Sequence, residues 1–276
     1  MTRGTEGGAL AARMQSLLFV PGSRPDRFSS ALASGADAAC IDLEDAVPPD
    51  AKEEARRAAL DALGDTPLAL RINALSTDHG QADLDCLGTA SCKPALLLLP
   101  KVEDAAEIAP AAALDVGLVP LIETPRGLRR AHEIAAVPGV VAMMFGGGDL
   151  SAELGVDLAW EPLAVARGIF VLACAEAGIP AIDVPYLHLD DDEGLAAETS
   201  RAQALGFTAK AAIHPKQIAT IHRVLRPSAE QIAEARAAEA AFQAAGGAAV
   251  RWNGRMLEAP VMRRYRRILE QEQAHA

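Results

Sequence analysis

Gly117-Leu118-Val119-Pro120-Leu121-Ile122-Glu123-Thr124-Pro125-Arg126-Gly127 is a run of six uncharged residues that ends in a carboxylate and a Thr-Pro pair. A short apolar run with no alternation reads as a strand covered on both faces, and the polar residues after it mark the strand's end. The next such run repeats the arrangement: Val140-Val141-Ala142-Met143-Met144-Phe145 leads through Gly146-Gly147-Gly148 to Asp149. If neighbouring parallel strands carry the two runs, Glu123 and Asp149 meet at one rim of a sheet.

Outward from this pair, eight apolar runs recur, at 17–20, 38–43, 68–72, 95–99, 118–122, 140–145, 181–184 and 209–213. Segments of helical pattern separate them. Residues 50–63 are rich in alanine, glutamate and arginine, 102–113 continue the pattern, and 161–177 form a longer helix closed by Gly178. Eight strand-helix units over roughly 250 residues predict an α/β chain folded as a (β/α)8 TIM barrel. An open doubly wound sheet competes, since strand order is not written in a sequence. Beyond the eighth strand, 228–245 read as a helix capped by Ser228, Trp252-Asn253-Gly254 as a turn, and 259–270 as a final helix carrying Arg263, Arg264, Arg266 and Arg267. The expected organisation is a flexible N-terminal extension (1–15), the barrel (16–227) and an extra C-terminal helical tail (228–276) that packs on a neighbouring subunit.

Composition narrows the function. A formal net charge of −11 argues against nucleic acid as a partner. No apolar run approaches the roughly 20 residues that span a bilayer, and residues 1–14 lack a signal-peptide core. Cys40, Cys86, Cys92 and Cys174 form no C-x-x-C spacing and read as reduced thiols of a cytoplasmic protein. Polar groups crowd the predicted strand ends: Arg24, Asp42, Glu44, Asp45, Arg71, Asn73, Lys101, Glu123, Asp149, Asp183 and His214. In a barrel those ends are where chemistry is carried out. Carboxylates without histidine or cysteine beside them suit Mg²⁺, which takes one or two protein carboxylates and leaves its other positions to water and substrate.

The stretches LLFVPGSRPDRF (17–28), ADAACIDLEDAVPPDAKEEAR (36–56), LRIN (70–73), LPKVED (99–104), PLIETPRGL (120–128), FGGGDLSAELG (145–155) and IHPKQI (213–218) together resemble the citrate lyase beta subunit-like proteins of the HpcH/HpaI aldolase group. The resemblance implies a TIM barrel, homotrimers or larger homo-oligomers, and Mg²⁺-dependent carbon-carbon lyase chemistry. The implied substrates are carboxylated 3-hydroxyacyl thioesters, citryl, citramalyl or malyl, on coenzyme A or an acyl carrier protein. It places Glu123 and Asp149 as metal ligands, with Glu123 also touching substrate, and Arg71 as the substrate-binding arginine. Glu44 and Asp45 would support the metal's waters or Arg71, and a salt bridge from Arg71 to Glu44 is the purely structural alternative. The family's catalytic base lies in a Gly-Lys-Met-Ile-Asp-x-Pro pattern. Here Gly254-Arg255-Met256-Leu257-Glu258-Ala259-Pro260 matches it, with Glu258 one methylene longer than the usual aspartate. A malyl-CoA thioester hydrolase and a catalytically silent thioester-binding subunit are the alternative functions.

Overall fold

The computed structural model describes residues 3–64 and 68–275. The chain divides into two compact units, Met1–His222 and Arg223–Ala276.

In the first unit eight parallel strands close into a barrel in sequence order: β1 (Ser16–Pro21), β2 (Ala38–Asp42), β3 (Ala69–Arg71), β4 (Leu96–Leu99), β5 (Gly117–Ile122), β6 (Met143–Phe145), β7 (Ala181–Asp183) and β8 (Ala209–Ala212). Strand β8 pairs with β1 through Leu17↔Ala211, so no edge is left open. All eight predicted runs are strands, and the open-sheet alternative is excluded. The sixth strand starts later than its apolar run: Val140 makes only an isolated bridge to Leu118, next to Gly139 in the left-handed region at φ +93°.

Helices cover the outside. Helix Lys52–Ala62 follows a 3-10 turn at Pro49–Ala51, and helix Trp160–Ala177 ends at Gly178 with φ +71°. The segment expected as one helix over 102–113 is instead a 3-10 turn, Ala105–Ile108, running into a single turn, Ala109–Ala112. Asp104 caps its start by accepting the Ala106 N–H, and Pro110 interrupts backbone donation.

The barrel interior is lined with small and aliphatic side chains: Ala38, Ala69, Ala95, Ala142, Ala209 and Ala211 alternate with Leu17, Leu96, Leu98, Val119, Leu121 and Ile182. So many alanines leave space at the N-terminal ends of the strands. The first helix, Arg3–Arg13, fills it with Leu10 and Ala11, joined by Met14 just after it, all buried. A flexible extension was expected over 1–15, whereas Arg3–Arg13 is helical although Gly4, Gly7 and Gly8 lower helix propensity. Close approach is the reason for one of them: a Cβ on Gly7 would overlap the Ala95 carbonyl oxygen and lie 2.9 Å from the Gly117 Cα. At the same end, Asp37 ties three segments together. It accepts the N–H groups of Gln15 and Ser16 at 2.8 and 2.9 Å, and His222 Nε2 lies 3.1 Å from its Oδ2 and 2.8 Å from Ser16 Oγ.

The second unit has its own core. Helix Ala229–Ala244 starts with a capping box between Ser228 and Gln231, and a hairpin, β9 (Val250–Trp252) and β10 (Arg255–Leu257), precedes helix Ala259–His275. The turn read at 252–254 is the hairpin's two-residue loop, with Asn253 and Gly254 at φ +46° and +76° as a type I′ turn requires. Ala235, Ala238, Phe242, Leu257, Met262 and Tyr265 are packed together.

Candidate active site

The carboxyl ends of β2 to β6 gather one cluster of charges. Register places Asp42 opposite Arg71. Arg71 Nε and Nη2 both donate to the Asp42 carboxylate at 2.7 Å, and Nη1 stands 3.0 Å from Glu44 Oε2. Its guanidinium also lies over the Phe19 ring, 5.1 Å from the centroid. A planar fork held on one edge by a carboxylate and on one face by an aromatic ring has little freedom left. Asp42 is fixed in turn, accepting the N–H of Glu44 at 2.9 Å and of Ala46 at 3.2 Å. The buried Lys52 ammonium donates to the carbonyls of Leu43 and Glu44 at 2.8 and 2.7 Å, which stiffens the loop carrying Glu44.

Glu123 follows β5 and is 5% exposed. Its Oε2 accepts the backbone N–H of Lys101 at 2.9 Å. Lys101 makes that bond from φ +54°, a left-handed conformation uncommon for a residue with a side chain. On the other side Glu123 lies against Gly146: a Cβ there would overlap Glu123 Cγ and come within 2.7 Å of Oε1. Of the three glycines that precede Asp149, Gly146 is the one that allows close approach of Glu123. Burial pushes the Glu123 carboxyl up to about 8, reinforced by Glu44, while the Lys101 N–H and Arg71 oppose the shift.

Asp149 stands in the first turn of helix Gly147–Leu154 and is half-exposed. The Lys101 ammonium lies 3.3 Å from its Oδ2, 2.9 Å from Glu44 Oε1 and 3.7 Å from Asp45 Oδ1. The sequence-predicted residues Glu44, Asp45, Arg71, Glu123 and Asp149 are therefore brought together. The ion pair of the structural alternative is present, Arg71 Nη1 to Glu44 at 3.0 Å, while Asp42 takes only the Nε and Nη2 edge of the fork. Glu258 belongs to the second unit, exposed just ahead of helix Ala259–His275. His214 is exposed; its Nδ1 accepts the Lys216 N–H, which fits a strand-end structural role. Sequence reasoning did not single out Asp42 as Arg71's clamp. Its signal was the Asp42-x-Glu44-Asp45 spacing at a strand end.

The donors available to a cation are all carboxylate oxygens. Both oxygens of the buried Glu44 lack an aligned hydrogen-bond partner, although two cations lie within 3.0 Å of them. Burial pushes the Glu44 carboxyl up despite Arg71 and Lys101. Buried carboxylates left short of donors fit a site completed by a hard cation. Among the described residues no three or more His, Cys, Asp or Glu side chains are grouped to enclose a metal. The protein's share would thus be two carboxylates, with the other positions left to water and ligand, as Mg²⁺ prefers and a structural zinc site does not.

A parallel barrel with acidic groups and a clamped arginine at its strand ends defines an enzyme of the TIM-barrel class with room for a cation and an anionic ligand. The chain belongs to the HpcH/HpaI aldolase/citrate lyase family, whose model matches residues 15–215; a model of carbon-carbon bond lyases of the TIM-barrel fold matches residues 171–276. It is 40% identical to a citrate lyase subunit beta-like protein of Mycobacterium tuberculosis, over 89% of this chain and 90% of the relative. Two proteins of Cereibacter sphaeroides are also similar. One is a (3S)-malyl-CoA thioesterase, 37% identical over 84% of each chain, and the other an L-malyl-CoA/beta-methylmalyl-CoA lyase, 34% identical over 87% of this chain and 89% of the relative. Among solved structures, protein CitE from M. tuberculosis in complex with magnesium, acetoacetate and coenzyme A superposes with a TM-score of 0.84 at 35% identity, covering 95% of this chain and 99% of that one.

Proposed function

We propose that the protein is a Mg²⁺-dependent carbon-carbon lyase that cleaves a carboxylated 3-hydroxyacyl-CoA into a 2-oxo acid and a shorter acyl-CoA. The observation that carries this reading is the convergence of Glu123 and Asp149 on Lys101 beside the Asp42-clamped Arg71. The family, the malyl-CoA lyase relative and the magnesium and coenzyme A complex of a similar structure support it.

Glu123 and Asp149 would hold the metal, with Glu44 behind them. When bound, Mg²⁺ acidifies a hydroxyl beside it and stabilises negative charge on oxygen. Arg71 is permanently cationic, and the edge that Asp42 does not hold, which Nη1 shares with Glu44, would meet the substrate carboxylate and place the 3-hydroxyl toward the acidic rim. Its clamp by Asp42 holds that orientation before substrate arrives, so ordering is not charged against binding. The hydroxyl proton leaves, the bond between C2 and C3 breaks, and its electron pair passes into the thioester as an enolate. That enolate then takes a proton at C2 to give the shorter thioester. Glu258 is our candidate for the group that exchanges these protons, from its match to the family's tail pattern.

A second reading is favoured by the thioesterase relative: the same site could direct water at the thioester carbonyl. A panel of citryl-, citramalyl- and malyl-CoA, assayed with and without Mg²⁺ and scored for products, separates them. Release of glyoxylate and acetyl-CoA from malyl-CoA supports the lyase, and malate with free coenzyme A supports the hydrolase. No Mg²⁺-dependent turnover of any of them would overturn the proposal.

Assembly as a homotrimer or larger homo-oligomer is supported by helix Trp160–Ala177, which leaves Val165, Ile169 and Leu172 at 76, 47 and 71% exposure on one stripe. A cytoplasmic location is supported by four free cysteines. Among the described residues no helix is long and apolar enough to cross a membrane.

A further inference from the structure

Lys101 touches more of the acidic cluster than any substrate-directed role requires. Its backbone N–H holds Glu123 Oε2, while its ammonium reaches Glu44, Asp45 and Asp149, at 2.9, 3.7 and 3.3 Å. One residue therefore grips four of the five clustered carboxylates from two ends, the fifth, Asp42, being held by Arg71. The left-handed backbone at φ +54° makes this possible, turning the N–H toward Glu123 while the side chain runs across to Asp149.

The side chain is 40% exposed, so its ammonium can swing into solvent without being stranded in the core. The Glu44 oxygens cannot follow, since Glu44 is 7% exposed and its loop is pinned by Lys52. A mobile cation on fixed carboxylates is the arrangement of a replaceable counter-ion.

We propose that Lys101 is the built-in counter-cation of this site: its ammonium neutralises the carboxylate rim before metal binds and gives up Asp149 when the divalent ion enters, so that loading is an exchange of one cation for another. This rests on the metal-site reading above. It makes Lys101 a positioning residue whose charge opposes metal binding, whereas its backbone N–H supports it by orienting Glu123. A side-chain substitution separates the two, because the N–H remains.

The test uses the full-length protein with Mn²⁺ as the probe, its free concentration read by electron paramagnetic resonance. Lys101→Met removes the competing charge and is expected to bind Mn²⁺ about tenfold more tightly than wild type, a repulsion of the size expected for unit charges near a protein surface after screening. Lys101→Arg keeps the charge and is expected to stay near the wild-type affinity. A second measurement needs no variant. The chain has five lysines, at 52, 93, 101, 210 and 216. Saturating Mg²⁺ is expected to raise the acylation rate of Lys101, read by mass spectrometry against Lys93, by severalfold. Unchanged or weaker Mn²⁺ binding in Lys101→Met overturns the inference, as does a Lys101 acylation rate indifferent to Mg²⁺. Failure of the wild type to bind Mn²⁺ at all sinks the metal-site reading instead, and the two failures are distinct.

Discussion

Glu123 Oε2 accepts the backbone N–H of Lys101 across the gap between β4 and β5, and Lys101 reaches it only by leaving the conformations normal for a side-chain-bearing residue. Strain of this kind costs on the order of 1–3 kcal/mol and persists where surrounding structure holds it in place. Replacing Lys101 by Gly should relieve it, and thermal melting in the absence of metal should show whether the relief exceeds the loss of the ion pairs.

Glu123→Gln is expected to leave the metal-free protein as stable at pH 7 as the wild type, or more so. A carboxyl whose folded value is pushed up to about 8 holds its proton in the folded state while the unfolded chain has released it. Stability therefore falls as pH rises from the ordinary carboxylate range through about 8, and the amide removes that slope. Chemical denaturation at pH 5, 7 and 9 without metal measures it. The same variant should lose Mg²⁺-dependent turnover; retained turnover would remove Glu123 from the ligand set.

Asp42→Asn should damage more than its position beside the site suggests. It breaks a buried, two-pronged pair and leaves Arg71 without its fixed partner, which costs about 3–5 kcal/mol by analogy with broken buried pairs. If the fold survives, a rise in KM should accompany the fall in kcat, since Arg71 loses its pre-set orientation. Steady-state kinetics beside a urea titration reads both.

Gly146→Ala places a methyl group in the volume of the Glu123 side chain. Overpacking of this kind costs roughly 1–3 kcal/mol, and Glu123 has to leave its place. The expected result is a folded barrel, by circular dichroism, whose Mn²⁺ affinity has dropped at least tenfold. Gly148, where a Cβ meets nothing within 4 Å, supplies the control, and Gly148→Ala should behave as wild type.

Asp37 gives the protein an acid-sensitive joint remote from the chemistry. Burial pushes its carboxyl up, but the hydrogen bond with His222 and the N–H groups of Gln15 and Ser16 outweigh that and hold it at about 2. Its contribution is complete above the unfolded carboxylate value near 4 and is lost as pH falls toward 2. Asp37→Asn should flatten that part of the stability profile and cost about 2 kcal/mol at neutral pH, in line with charge-assisted hydrogen bonds.

Much of this was legible in the residues. Unalternating apolar runs such as Leu118–Ile122 announced covered parallel strands, and the carboxylates directly after them announced the rim. What depended on three-dimensional register was hidden. That Asp42, not Glu44, takes two prongs of Arg71 follows from the pairing of β2 with β3, which no local pattern encodes. The left-handed Lys101 was hidden because nothing in Leu-Pro-Lys-Val calls for it; the Glu123 acceptor on the next strand does. Helix Arg3–Arg13 was missed because its glycines argue against a helix locally, and the reason for Gly7 lies a hundred residues away at Ala95 and Gly117.

The chain's beginning also divides the labour between the two ends of the barrel. Leu10, Ala11 and Met14 join the interior alanines in one packed core. One end of the barrel is thus given over to cohesion and the other, where the carboxylates gather, to reactivity, so substitutions at the two ends should be felt separately.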